Sequence, residues 1–355
     1  MNAIDYARQA CDTMMRRYSP ASTLPPEGIF RYHQGVFLSG MLHVYEVCGE
    51  EAYYRYVKEW VDSHVDEDGT LHGHNTEMFD DLQPGILLYP LYARTGDIRY
   101  KCALDTIIAV LRNWKCNSVG GFWHKMIHPN QMWLDSIYMA GPIQAEYGKL
   151  FGDSYYFDVV TKQVLLMYEN MRDEKSGLLF HAWDESKQEK WADQETGLSP
   201  EVWGRALGWY VVAILDILEL IPEDHKDRNR LIEIERSVLK ALVKYQDTNG
   251  LWYQVVPKPD GEGNWHEISC SSLFTYAIAK AVRMGVLDPQ YRQYAEKGFA
   301  GVTATLTYDG EDLLVGGVCM GTGVSDYDYY INRPVIVNDL LGMGAFLLMC
   351  AEMAK

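Results

Sequence analysis

The sequence predicts an all-α protein: an (α/α)6 barrel, six helical hairpins in a double ring, with short β-hairpins in its rim loops. Three observations predict it. Apolar residues recur at three- and four-residue spacing in about twelve separate segments. Short turns of related sequence, "CGEE", "TGD" and "FGDS", each join two such segments, and Tyr-Tyr or Arg-Tyr follows each turn. Longer stretches rich in Gly, Asp, His and Trp recur about once per helix pair. Hairpins repeated in this way stack on one another, and six of them fit a closed double ring.

The elements follow in chain order. Segment 2–18 is a first helix, and 34–48 and 51–63 flank "CGEE". Segment 83–95 opens at Pro84, a residue suited to a first helical turn, and 98–114 follows "TGD". Segment 131–150 starts after Pro129-Asn130 and meets no Gly or Pro until Gly141-Pro142; 153–172 follows "FGDS". Segments 202–219, 226–246, 270–284, 288–305 and 337–354 complete the set. Between pairs lie loops 19–33, 64–82, 115–130, 173–201, 247–269 and 306–336. Within them "GLLFHAWD" and "GLWYQVV" read as short strands beside Gly turns. In a closed ring such loops gather at one mouth, where function concentrates. No Pro/Gly/Ser-rich linker or charge run divides the chain, so residues 1–355 read as one domain.

Composition narrows the function. The chain has 355 residues, 48% hydrophobic and 23% charged, which is the balance of a soluble globular protein. A net charge of -17 argues against nucleic acid as a partner, because phosphate backbones are held by basic surface. It does not argue against a small anionic substrate held in a local cationic pocket. Aromatic residues, 25 Tyr and 10 Trp among them, suit a sugar-binding cleft and equally suit helix packing. The N-terminus lacks the basic start and apolar run of a signal peptide. No uncharged apolar stretch reaches the ~18 residues of a membrane span. Seven scattered Cys without a CxxC pair fit reduced thiols in a cytoplasm. The expected state is a monomer or weak homo-oligomer.

Asp135 is the residue that asks for an explanation. It stands in "QMWLDSIYMA", and in a helix from 130 it shares a face with Met132 and Met139. A lone carboxylate there must be paired, hydrogen-bonded or protonated. Helix-dipole stabilisation is weak five residues in, so a structural and a functional acid stand side by side. Asp80 and Asp81 precede Pro84 in "FDDLQPG" and read equally as capping acids. His181 lies in a strand, and Arg205 and Trp209 share a helix face four residues apart, close to Trp203. A packed amphipathic helix, with Arg205 paired to Glu201, explains that face as well. His72 and His74 in "HGHN" lack a third metal ligand, and neither a Gly-rich phosphate loop nor a G-x-S-x-G nucleophile is present, so no metal and no cofactor are expected.

Three blocks together are specific. "GGFWHKMIHPNQMWLDSIYMAGP", "GLLFHAWDESKQEKWADQETGLSPEVWGRALGWY" and "NDLLGMGAF" resemble the unsaturated rhamnogalacturonyl hydrolases of glycoside hydrolase family 105, in order and spacing along nearly the whole chain. The resemblance implies a hydrolase that hydrates the C4=C5 vinyl ether left by a pectic lyase on a terminal uronic acid. A proton goes to C4, water adds at C5, and the hemiketal collapses to release the rhamnose-ended remainder. It implies Asp135 as general acid and base, with a pKa raised by its apolar face. It implies Asp80 as holder of the water, with Asp81 the alternative, and His181 as an active-site histidine. Trp203, Arg205 and Trp209 become substrate-binding residues, joined by Met132, His124 and Lys125. Tyr327, Tyr329 and Arg333 line the mouth without an assigned role. Four alternatives stay open: an unsaturated glucuronyl hydrolase of the sister family, an inverting glycosidase, a sugar epimerase on the same barrel, and a non-catalytic helical scaffold.

Overall fold

A computed structural model describes residues 1–355 as thirteen α-helices and three two-stranded sheets. In chain order the helices are α1 (Ala3–Arg17), α2 (Tyr32–Cys48), α3 (Glu51–Asp62), α4 (Leu88–Thr95), α5 (Ile98–Arg112), α6 (Asp135–Phe151), α7 (Tyr155–Met171), α8 (Gly204–Leu220), α9 (Arg228–Leu242), α10 (Ile268–Arg283), α11 (Arg292–Ala304), α12 (Tyr327–Ile331) and α13 (Leu340–Met353). A 3-10 turn, Gln83–Leu87, runs directly into α4. The inner ring is α2, α4 with its 3-10 turn, α6, α8, α10 and α13, each packed on the next, and α13 closes back on α2. Helices α1, α3, α5, α7, α9 and α11 form the outer ring. This is the (α/α)6 barrel.

Sequence pattern explains which helices go inside. Every residue of α13 from Leu340 to Glu352 is buried, and α8 is buried from Gly204 to Leu215. A helix that is apolar all round belongs in a core. Outer helices such as α1 and α9 bury only one stripe. The three repeated turns have a common cause. Gly49, Gly96 and Gly152 end α2, α4 and α6 with φ of 70°, 67° and 73°, a left-handed conformation that favours glycine. Ring closure rests on two more glycines. A Cβ on Gly344 would lie 2.6 Å from the Val36 main chain, and one on Gly40 would lie 2.8 Å from the Gly344 carbonyl.

The short turns sit at one end of the barrel and the long loops at the other. Strand β1 (Gln131–Trp133) pairs antiparallel with β2 (Ala182–Asp184), β3 (Thr307–Asp309) with β4 (Asp312–Leu314), and β5 (Val318–Cys319) with β6 (Val335–Ile336). Here the structure departs from the sequence expectations. Residues 131–133 are strand rather than helix, and Asn130, at φ 65°, is a turn rather than a cap. "HAWD" pairs with the "QMW" stretch, not within its own loop, and "GLWYQVV" makes only isolated bridges. Helix α9 gives way to a 3-10 turn at Val243, and α13 starts at Leu340, after Asn338 has turned through φ 54° and Asp339 has capped it. The five-residue helix α12 was not expected. No helix is long and apolar enough to cross a membrane.

Glu235 on α9 is the costly residue of this packing. It is 0% exposed, and both carboxylate oxygens lack a hydrogen-bond partner. Burial, helped by the charge of Asp216, pushes its pKa well above the usual range. A carboxyl that binds its proton more tightly when folded loses stability as pH rises above its unfolded pKa. Glu235→Gln should therefore melt higher than the wild type at pH ~8, with the gap closing toward pH ~4–5 where the unfolded carboxyl is also protonated. Thermal melts across that range check it; a gap independent of pH would show that proton uptake is not the cause.

Candidate active site

The β1–β2 ladder builds the centre of the mouth. Trp133 pairs with Ala182, and the Leu134 amide donates to the His181 carbonyl at 3.0 Å. That pairing sets His181, the residue before β2, against Asp135, the first residue of α6. His181 Nε2 lies 3.1 Å from Asp135 Oδ2, and His181 Nδ1 lies 2.7 Å from the Tyr330 hydroxyl. His181 is fully buried between the Trp203 and Trp133 rings, at 4.8 and 5.5 Å. Asp135 retains 9% exposure.

Two expectations about Asp135 need correcting. It begins its helix, so the positive end of the helix dipole does act on it. Met132 does not share its face; it lies in β1 and packs against Gly121. Nor is the Asp135 pKa raised in the free protein. Burial pushes it up, but opposing causes, chief among them the hydrogen bond of His181, outweigh burial and hold it below the ordinary aspartate value.

A second acid stands alongside. Asp80 lies in a 3-10 turn, Phe79–Asp81, 7% exposed. The Met78–Lys125 bridge brings the Lys125 ammonium to 2.8 Å from Asp80 Oδ2. His124 Nε2 lies 3.7 Å from Oδ1, while its Nδ1 meets the Ser136 hydroxyl at 2.9 Å and its ring stacks on Trp133 at 4.3 Å. Burial first, then the Lys125 charge, pushes the His124 pKa well down, which keeps it neutral. Asp81 faces away and is held by Arg31 through bonds of 2.6 and 3.2 Å. Of the two neighbours, Asp80 faces the site and Asp81 is spent on an ion pair.

The arginine is placed less simply than its spacing suggests. Arg205 is 1% exposed and stacks over Trp203 at 4.7 Å. Its donors go to the Cys319 carbonyl, the Met320 carbonyl at 2.9 Å and the Ser269 hydroxyl at 3.3 Å. Glu267, the N-cap of α10 and 0% exposed, lies 3.9 Å away. The guanidinium fork thus holds the rim segment, and Glu201 pairs with Lys258 instead. Trp203 is buried, its indole N–H donating to Gln254 at 3.1 Å. Trp209 has no exposed surface and stacks on Tyr138 in the barrel wall at 4.4 Å. Met132 is likewise fully buried.

At the rim, the Tyr327 hydroxyl donates to the Glu262 carbonyl at 3.1 Å, and the Tyr329 hydroxyl accepts from the Gly323 amide at 3.3 Å. Arg333 donates to Thr322 at 3.1 Å. Three further residues belong to the constellation and escaped the sequence reading. Tyr330 was passed over between Tyr329 and Arg333; the Asp326 cap that turns 327–331 into a helix is the signal that puts it inside. Tyr32 feels the charges of Asp80, Arg205 and Asp135 from the start of α2. His33 beside it is driven to a pKa of about 4 by burial, so it is neutral. His72 turns to Asp66 at 2.6 Å. The trio with metal-ligand spacing, Asp158, His225 and Asp227, belongs to α7 and the α8–α9 turn, and Lys226 already occupies the Asp158 oxygen at 2.7 Å.

Comparisons with known proteins show the family and the fold. The profile of Glycosyl Hydrolase Family 88 matches residues 6–355. A family 105 glycoside hydrolase from C. acetobutylicum ATCC 824 superposes with a TM-score of 0.93 and 35% identity, covering 98% of this chain and 99% of that one. The unsaturated rhamnogalacturonyl hydrolase YesR of Bacillus subtilis is 27% identical over 328 residues, 90% of this chain and 88% of YesR. Protein Atu3128 of Agrobacterium fabrum is 31% identical over 229 residues, 60% of this chain and 97% of its own length.

The Arg205 cluster makes a direct prediction. Arg205→Ala leaves buried Glu267 without a cation and removes the guanidinium donors from the Cys319 and Met320 carbonyls. Loss of one partner of a buried pair costs about 3–5 kcal/mol, so the denaturation midpoint should fall accordingly. Arg205→Lys keeps the charge but not the fork, and should lose less stability while loosening segment 319–320. An Ala variant with the wild-type midpoint would mean that Arg205 does not hold the rim.

Proposed function

Because the chain belongs to Glycosyl Hydrolase Family 88, we propose that it is a glycoside hydrolase that removes a terminal 4,5-unsaturated uronic acid from an oligosaccharide by hydrating the C4=C5 bond. The observation that carries this is Asp135, a buried acid at the mouth that is bonded to His181 through one oxygen and free of side-chain partners at the other, whereas neighbouring Asp80 is held by Lys125. The free oxygen delivers a proton to C4 and then takes one from the water that adds at C5. The hydrogen bond of His181 favours the carboxylate. An arriving uronate brings a second negative charge, and like charge raises a carboxyl pKa. Substrate thereby helps to load its own acid.

Asp80, carrying Lys125, holds the water. Lys125 also supplies a cation that offsets the strongly acidic chain near an anionic sugar. The substrate we favour is a rhamnogalacturonan fragment from pectin, supported by the likeness to YesR along most of both chains. A glucuronyl substrate from other lyases would use the same chemistry. Seven free cysteines support a reducing, cytoplasmic setting.

Two outcomes check the chemistry. Asp135→Asn keeps the shape and removes the proton, so turnover of an unsaturated disaccharide, followed by loss of its ultraviolet absorbance, should fall by about 10²–10⁴. Retention of a tenth of wild-type turnover would remove Asp135 from the reaction. In ¹⁸O-labelled water, label should appear on the released keto-uronate. Label on the anomeric carbon of the new reducing end would instead mean ordinary glycosidic attack.

A further inference from the structure

We propose that Tyr330 is a positioning residue: its phenol fixes His181 as the neutral Nε2–H tautomer, and so fixes which Asp135 oxygen is left free to react. The inference rests on the reading of Asp135 and His181 given above, and adds to it the control of the histidine's proton.

Hydrogen-bond accounting carries it. Tyr330 is 0% exposed. Its oxygen accepts the Ser325 amide at 3.2 Å, and the remaining partner within reach of its hydrogen is His181 Nδ1, at 2.7 Å. A phenol that donates to Nδ1 requires Nδ1 to be unprotonated. The imidazole proton then sits on Nε2 and donates to Asp135 Oδ2 at 3.1 Å. Burial keeps the phenol protonated, since it pushes the Tyr330 pKa well up. The reverse arrangement, Nδ1–H donating to the phenol, would strand the phenol hydrogen in a dry site.

The tyrosine is itself held firmly. Asp326 caps α12, and Gln254 donates to the Tyr330 carbonyl at 3.1 Å. The same Gln254 accepts from Trp203, whose ring packs on His181. The groups whose charge or proton reaches the pair are few. Asp135 is faced by His181, His124, Tyr32 and Tyr330, and His181 by Asp135, His124 and Tyr330. His124 is kept neutral and its own Nδ1 is occupied by Ser136. Of these, Tyr330 alone touches Nδ1.

Without that phenol, His181 has two escapes. It turns to the Nδ1–H tautomer and shows Asp135 a lone pair, or it takes a second proton and becomes a cation beside the carboxylate. The first removes the donor that orients Asp135. The second stabilises the carboxylate and strips the proton that C4 needs.

The test is nitrogen NMR of the full chain with ¹⁵N-labelled histidine, combined with kinetics. In the wild type the His181 Nε2 signal should fall in the protonated range and Nδ1 in the unprotonated range. In Tyr330→Phe, Nδ1 should gain proton character. The kcat should fall about 10- to 100-fold, the loss expected of one buried hydrogen bond to a charged pair, with KM moving less and the pH–rate profile displaced. Tyr329→Phe, which leaves the lock intact, should keep the wild-type nitrogen signals. A wild-type Nδ1 that carries the proton overturns the proposal. So does a Tyr330→Phe variant with unchanged signals, or a Tyr329→Phe variant that shifts them equally. The spectra do not depend on turnover, so a locked histidine in a protein whose Asp135→Asn variant stays active would sink the functional reading and leave the lock standing.

Discussion

Closure of the inner ring is the constraint on which everything else depends. It is made where α13 meets α2, and it needs Gly40 and Gly344 because neither leaves room for a Cβ. Once closed, the ring gives all six inner helices one direction. The N-terminal ends of α2, α6, α8 and α10 bring Tyr32, Asp135, Trp203, Arg205 and Glu267 to one mouth. Their C-terminal ends surround a cavity of about 320 Å³ at the far end, whose charged lining is Glu46, Glu146, Asp216 and Glu219 with Lys280. Helix dipoles add positive potential at the first end and negative at the second. A chain of net charge -17 thereby keeps a mouth fit for an anionic sugar.

The ring was legible in the sequence and the mouth only partly so. Helix period, glycine-ended turns and loop recurrence are local signals, and each survives into the structure. The start of α6 was misread because "QMWLDSIYMA" has helical spacing throughout. What breaks it is a strand fifty residues away in sequence: β2 takes residues 131–133 into a ladder, and the helix can begin only at Asp135. Tertiary pairing overrode local preference, and in doing so it created the Asp135–His181 contact.

Arg205 carries the same lesson in charge. One helical turn suggested Glu201 as its ion-pair partner, but Lys258 takes Glu201, and Arg205 reaches across to Glu267 and the 319–320 carbonyls. Trp209 shares the Arg205 face by spacing, yet the ring places it against Tyr138, where sequence cannot tell wall from mouth. In "SDYDYYINRP" three tyrosines stand within four residues, and only the backbone turn of α12 decides that Tyr330 points to the histidine.

The charge arrangement also bears on which reaction the mouth can run. An inverting glycosidase divides labour between two carboxyl groups, one to protonate the leaving oxygen and one to act as base on water. Asp80 is poorly suited to the second task. Lys125 sits 2.8 Å from one of its oxygens, so that oxygen is committed to an ion pair. It can still orient a water through its remaining lone pairs. On the route proposed above, hydration of a vinyl ether asks no more of it than that, because the carboxylate left at Asp135 after protonation of C4 would itself be the base. One acid that is emptied and refilled within a turnover, beside a partner whose charge is neutralised, is the electrostatic pattern that this reaction needs.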